Sequence, residues 1–224
     1  MKKFIILSHQ RSGSTLLTRS LNSHSLLRVE DEIFHPTWHS ILKWRNENLG
    51  IKYEPISNLK NYEEFILDVF SNLDGFKVLN TNPVDIDKLI DVINKYNIFV
   101  IILKRKDLIK SIISAELCKI TNVWQNEDFV TKQNKCEIHI QPEEIEIQIN
   151  KINNFYIKLE KINNNMKILY EDLISDWDFT IEKILNKIEI QNELIPMKLG
   201  KLTEDYQISN YKEIVLYFKR KFLI

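Results

Sequence analysis

Residues 3–17 read Lys3-Phe-Ile-Ile-Leu-Ser-His-Gln-Arg-Ser-Gly-Ser-Thr-Leu-Leu17. An apolar run of strand type enters a short polar turn built on Gly13, and an apolar helical stretch leaves it at once. Strand, tight loop and helix N-terminus together make an anion cradle, because backbone N–H groups and the positive end of the helix dipole converge on the loop. Arg11, Ser12, Ser14 and Thr15 add a guanidinium and three hydroxyls as further donors. The chain has only four glycines, which lends weight to the one at this turn. The expected ligand is a phosphate or sulfate group.

The loop departs from the nucleoside-triphosphatase type. That pattern is G-x-x-x-x-G-K-[ST], with lysine on the β/γ-phosphates and Ser/Thr on magnesium. Here Ser8 stands at the first glycine position, Ser14 replaces the lysine, and the cation, Arg11, precedes Gly13. A second basic segment, Leu103-Lys-Arg-Lys-Asp-Leu-Ile-Lys-Ser-Ile-Ile-Ser114, begins where the clearest apolar run ends. Ligands of open α/β sheets bind outside the carboxyl ends of the strands. Arg105 and its neighbours are therefore expected to face the same crevice as the first loop.

Composition narrows the field of functions. At 224 residues the chain fits one domain, residues 1–224, with room for a substantial core. A net charge of zero gives no steering toward nucleic acid or anionic membrane, so neither is expected as a partner. No stretch approaches the roughly 18–20 apolar residues of a membrane span. Cys118 and Cys136 form no C-x-x-C or Cys/His metal spacing, which makes a reduced, cytoplasmic setting the expectation and leaves no metal site.

Strands and helices alternate along the chain. Strands are predicted at 3–8, 26–29, 76–79, 97–103 and 166–170. Helices are predicted at 14–23, 37–48, 60–72, 84–95, 107–120, 142–163 and 176–188, with one more in the tail at 203–222. Residues 121–140 read as a loop over the site. In the run Asn97-Ile-Phe-Val-Ile-Ile-Leu103 every residue after Asn97 is apolar and most are β-branched, as suits a buried parallel strand. This alternation predicts a three-layer α/β sandwich around a central parallel sheet.

Taken in order, these motifs resemble those of sulfotransferases that use 3′-phosphoadenosine 5′-phosphosulfate (PAPS). The Arg11-Ser-Gly-Ser-Thr15 run is similar to their 5′-phosphosulfate loop. Arg105 and Ser114, nine residues apart with Asp107 between them, resemble the 3′-phosphate motif R-x-[ND]-x6-S of the bacterial carbohydrate or trehalose branch. Ser111 is the alternative serine. Asp31-Glu32-Ile33-Phe34 is similar to a G-E-x-F segment, with Asp31 in place of the glycine. Phe76-Lys77 resembles a G-F-K strand, Tyr170-Glu-Asp-Leu173 a Y-E-D-L strand end serving as structure or site wall, and Lys198–Lys201 a C-terminal lysine segment.

The resemblance implies a P-loop-like sulfotransferase fold and transfer of a sulfuryl group from PAPS to a hydroxyl of a saccharide, glycolipid or other small molecule. It implies that Arg11, Ser12, Gly13, Ser14, Thr15, Arg105, Ser114 and Lys201 bind the nucleotide, without a metal. Glu32 is the implied general base, with His35 and His9 as competitors. Arg11 acts by charge alone, since arginine is no general acid near neutrality. Two other functions stay open: a nucleotide-binding scaffold without catalysis, and a P-loop small-molecule kinase, against which the missing lysine after Gly13 argues. Segments 36–60 and 121–140 are expected to select the acceptor, and Trp38, Trp44 and Trp124 to pack or to stack on a ring.

Overall fold

The computed structural model describes residues 1–35, 61–121, 137–191 and 207–222. In chain order its first elements are β1 (Phe4–Ser8), α1 (Ser14–Leu21), β2 (Val29–Glu32), α2 (Tyr62–Asn72), β3 (Gly75–Leu79), α3 (Ile86–Lys95) and β4 (Phe99–Lys104). They are followed by α4 (Leu108–Thr121), β5 (Glu137–Ile138), α5 (Pro142–Leu159), β6 (Asn165–Leu169), α6 (Tyr170–Ser175), α7 (Trp177–Lys187), β7 (Gln207–Ile208) and α8 (Tyr211–Phe222). The chain divides into two compact units, Met1–Lys106 with Phe155–Lys198, and Asp107–Asn154 with Leu199–Ile224.

The first unit is a five-stranded parallel sheet in the order β2-β3-β1-β4-β6. β1 is central and buried at every residue, which is why it carries no polar alternation until Ser8. Its last residue pairs in register with Leu79 of β3 on one side and Leu103 of β4 on the other. The carboxyl ends of these three strands therefore lie level. From β1 the chain passes to the edge strand β2 and returns inward to β3 beside β1, then crosses to the opposite side of β1 for β4 and β6. The direction of winding reverses between β1 and β4, and that reversal is where open α/β sheets bind ligands.

One apolar cluster packs Phe4, Ile6, Phe99 and Ile101 of the sheet against Leu17 and Leu21 of α1 and against Leu173, Trp177, Ile181 and Ile184 of α6 and α7. An aromatic group forms elsewhere in the unit, with Phe34 against Tyr62, Phe65 and Phe76. α3 starts where Asp85 accepts hydrogen bonds from the N–H groups of Asp87 and Lys88, the expected N-cap chemistry.

β2 differs from its expected position at 26–29. The acidic run Glu30-Asp31-Glu32 forms part of the strand instead of following it. Glu30 pairs with Phe76 and Glu32 with Lys77, so the register slips by one residue at Asp31. Successive residues of a regular strand point to opposite faces, whereas a bulge re-aims one of them. Asp31 and Glu32 consequently both reach the same lysine. The helix expected to run to 163 stops at Leu159, and α6 forms a separate short helix directly after β6.

The second unit contains α4, α8, the first part of α5 and a two-stranded parallel pair, β5 with β7. The expected loop at 121–140 thus contains a strand at its end. Just beyond the pair, Asn210 Nδ2 donates to Ile140 O at 2.8 Å and Ile140 N donates to Asn210 Oδ1 at 3.2 Å. A buried side-chain amide here takes the part of a strand backbone. No helix among the described residues is long and apolar enough to cross a membrane.

Candidate functional site

The loop after β1 is fastened from the β3 side. Asn80 N donates to Ser8 O at 2.9 Å, and Asn80 Oδ1 accepts from Gln10 N at 3.3 Å. Two residues then take left-handed backbone conformations, Arg11 with φ 58° and Gly13 with φ 90°. Left-handed residues within a turn gather backbone N–H groups into an anion-binding concavity. Gly13 is the N-cap of α1, and its carbonyl accepts the first helical hydrogen bond, from Leu17 N at 3.2 Å. The hydroxyls of Ser8 and Ser12 are buried and meet no hydrogen-bond partner. Buried hydroxyls normally find one, so the Ser12 hydroxyl, one residue before the helix N-cap, suits an oxyanion.

Arg105 follows the last residue of β4. Its Nη1 donates to Arg11 O at 2.9 Å, and its guanidinium lies 4.8 Å from the centre of the Tyr170 ring. Tyr170, the first residue of α6, packs in turn on Gly13. The strand ends of β1, β4 and β6 therefore meet at one cationic cluster, with the Arg105 guanidinium over the Tyr170 ring at cation–π distance.

A second cluster lies on the β2–β3 side. Lys77 Nζ stands 2.8 Å from Asp31 Oδ1, 3.5 Å from Glu32 Oε1 and donates to Thr15 Oγ1 at 2.9 Å. The other Glu32 oxygen accepts from Asn82 Nδ2 at 2.9 Å. Asn82 Oδ1 accepts from Leu79 N at 2.7 Å, which fixes the amide orientation. Glu32 is thus held through both oxygens, and it is joined to the anion loop through Lys77 and Thr15. Nearby Glu30 is pushed above the usual carboxylate range, first by burial and then by the charge of Asp31.

His9 has a defined tautomer. Tyr156 Oη lies 2.7 Å from His9 Nδ1, accepts from His9 N at 3.3 Å and donates to Leu103 O at 2.7 Å. The phenol has one proton, and the Leu103 carbonyl must receive it, so His9 Nδ1 carries the imidazole proton. Nε2 is then the bare nitrogen, buried and without a partner. Burial, and secondarily the charge of Arg105, lowers the His9 pKa to about 4. His9 is accordingly neutral near pH 7, and its Nδ1 side is committed to Tyr156.

The remaining predicted residues fall in different places. Ser14 opens α1 and is buried. His35 follows the turn after β2, its N–H bonded to Glu32 O at 2.8 Å. Ser114 lies on α4 in the second unit, as does Ser111, whose hydroxyl donates to Asp107 O at 3.1 Å. Lys201, the lysine segment around it, Trp38, Trp44, Trp124 and the helix expected at 37–48 lie outside the described residues. Sequence reasoning gave no site role to Lys77, Asn82 or Tyr156. A lysine inside the otherwise apolar strand Gly75–Leu79 was a usable signal for the first, whereas Tyr156 sits in a helix with nothing local to mark it.

No protein-family model matches the chain, and no curated protein does. Solved structures match it over nearly its whole length. A sulfotransferase from Alicyclobacillus acidocaldarius aligns with a TM-score of 0.57 at 11% identity, covering 98% of this chain and 92% of that one. The sulfotransferase domain of the curacin biosynthetic pathway gives 0.54 at 18% identity, covering 95% and 86%. A mouse sulfotransferase solved in complex with PAP gives 0.50 at 12% identity, covering 92% and 70%. The fold is the α/β, P-loop-like fold that these sulfotransferases share, as the order and spacing of the motifs predicted.

Proposed function

We propose that the chain is a PAPS-dependent sulfotransferase acting on a hydroxyl of a saccharide, glycolipid or other small molecule. The observation that carries this reading is the hydrogen bond from Arg105 to the carbonyl of Arg11. It joins the two basic motifs, 94 residues apart in sequence, at the winding reversal of the sheet. The buried, unpartnered Ser12 hydroxyl and the left-handed loop fit an oxyanion beside them. A fold neighbour carries PAP in its own structure, which supports a bisphosphate nucleotide for this site as well.

PAPS supplies a sulfuryl group already activated by attachment to a phosphate leaving group. Arg11, the hydroxyls of Ser12, Ser14 and Thr15, and the N–H groups around Gly13 would hold the 5′ end and offset the charge that grows there. Arg105, Ser114 and Lys201 would orient the 3′-phosphate. Glu32, fixed by Asn82 and Lys77, would receive the acceptor's hydroxyl proton. The acceptor oxygen bonds to sulfur while the sulfur–oxygen bond to phosphate breaks, and the phosphate leaves with that electron pair. The structure of His9 favours Glu32 as the base, since the histidine ring is enclosed and tied to Tyr156. The same reading takes residues 1–224 as one catalytic domain of the bacterial carbohydrate or trehalose branch, working in the cytoplasm.

Calorimetry with 3′,5′-adenosine bisphosphate (PAP) tests the proposal against ATP with and without magnesium. Metal-independent binding of PAP, weakened by Arg105→Ala, is the expected result. Preference for magnesium-ATP would overturn it in favour of a kinase, and binding of neither in favour of a scaffold.

A further inference from the structure

Lys77 is 1% exposed, the most deeply enclosed of the lysines, arginines, aspartates and glutamates described. Its ammonium has three protons and three oxygen neighbours, on Thr15, Asp31 and Glu32. One hydroxyl and two carboxylates of the protein itself thus surround the ammonium, through a hydrogen bond to Thr15 and ion pairs with Asp31 and Glu32. This lysine is not placed to grip a ligand directly, unlike the lysine of a nucleoside-triphosphatase loop.

Its effect falls on its neighbours. Thr15 stands in the first turn of α1, at the helix mouth that closes the loop. A hydroxyl can accept and donate at once. With Lys77 donating to Oγ1, the hydroxyl proton of Thr15 must point elsewhere, and no acceptor among the described residues takes it. A hydroxyl that accepts from a cation is also the stronger donor. On the other side, the bulge at Asp31 brings Glu32 to the same ammonium.

Resting on the sulfotransferase reading, we infer that Lys77 is a positioning residue that couples the two halves of the site. It sets the Thr15 hydroxyl as a donor to the anion in the loop, and it holds Glu32 at the acceptor side. One buried cation thus ties nucleotide binding to placement of the base.

The test is a pair of double-mutant cycles on the full chain, read as PAP affinity by calorimetry. Thr15→Val is expected to weaken PAP roughly tenfold or more in the wild-type background, the scale of a lost hydrogen bond to a charged group. In a Lys77→Met background the same change is expected to cost less than about twofold, because the hydroxyl has lost its orientation. Arg105→Ala should cost the same fold-change in both backgrounds. Equal losses for Thr15→Val in the two backgrounds would overturn the inference, and so would coupling of Lys77 to Arg105 as strong as to Thr15, which marks a merely structural role. If Lys77→Met does not fold, the doubly neutralised Lys77→Gln/Asp31→Asn background replaces it. Failure of the wild-type protein to bind PAP would instead overturn the functional reading, and the inference with it.

Discussion

Tyr170 lies so close to Gly13 that a Cβ built on the glycine would stand 2.3 Å from the ring's Cδ2 and 2.5 Å from its Cε2. The glycine thus meets two requirements, space for the ring and a φ of +90°. Gly13→Ala is expected to destabilise the protein by about 1–3 kcal/mol from backbone strain alone, with the steric clash added to it. Removing the ring in Gly13→Ala/Tyr170→Ala should restore the steric part and leave the strain. Denaturant unfolding of the three variants measures each contribution.

Arg105 donates to Arg11 O and lies over the Tyr170 ring at once, and the single ammonium of lysine lacks the planar fork that lets one head group do both. Arg105→Lys is expected to lose most of the PAP affinity that Arg105→Ala loses, despite keeping the charge. Calorimetry of the two variants side by side decides it. Full retention of affinity by the lysine variant would mean that charge alone is used.

His9 makes stability depend on pH in a defined direction. Its folded pKa of about 4 lies below the ordinary value of 6.5, so the unfolded chain takes up the proton first. Stability from this group is complete above pH 6.5 and is lost as pH falls toward 4, by about 3 kcal/mol at most. His9→Asn keeps a donor for Tyr156 and removes the titration. Its unfolding free energy is expected to fall less steeply than that of the wild type across this window, and equal slopes would refute the assignment.

Glu32→Gln separates chemistry from nucleotide binding. Loss of a general base is expected to lower kcat by roughly 10²–10⁴-fold, while PAP affinity stays within about twofold of wild type because Lys77 keeps Thr15 and Asp31. Steady-state kinetics with a turned-over acceptor, beside calorimetry, checks both halves. A variant with normal kcat would return His35 to consideration.

The sheet was legible because its two central strands, β1 and β4, are written as unbroken apolar runs at 4–7 and 99–103. The loop was legible because a glycine among hydroxyls between a strand and a helix has few other uses. β2 was misplaced for a physical reason: three consecutive acids read as solvated loop until the buried lysine that offsets Asp31 and Glu32 is known. α6 escaped notice because its N-cap, Leu169, makes no side-chain capping bond, so the sequence holds no start signal. The pairing of His9 with Tyr156 spans 147 residues and leaves no local pattern at either end. The segments around Arg11, Glu32 and Arg105 stand out in the sequence, and Lys77 is marked by its place in an otherwise apolar strand, but Asn82 and Tyr156 carry no local signal of the bonds they make.

The amide of Asn210 that completes the backbone of Ile140 has a consequence for the order in which the protein is made. The second unit is drawn from residues 107–154 and 199–224, with a stretch of the first unit between them. Ile140 lies 70 residues before its partner, so its N–H and carbonyl wait until that further stretch has been synthesised. By then β6 has already emerged, and all five strands of the large sheet are available to pair. Unpaired backbone groups cannot be enclosed without cost, and domains tend to form as their residues leave the ribosome. Biosynthesis therefore favours closing the sheet with its loop before the small ladder is sealed, with residue 210 as the latch.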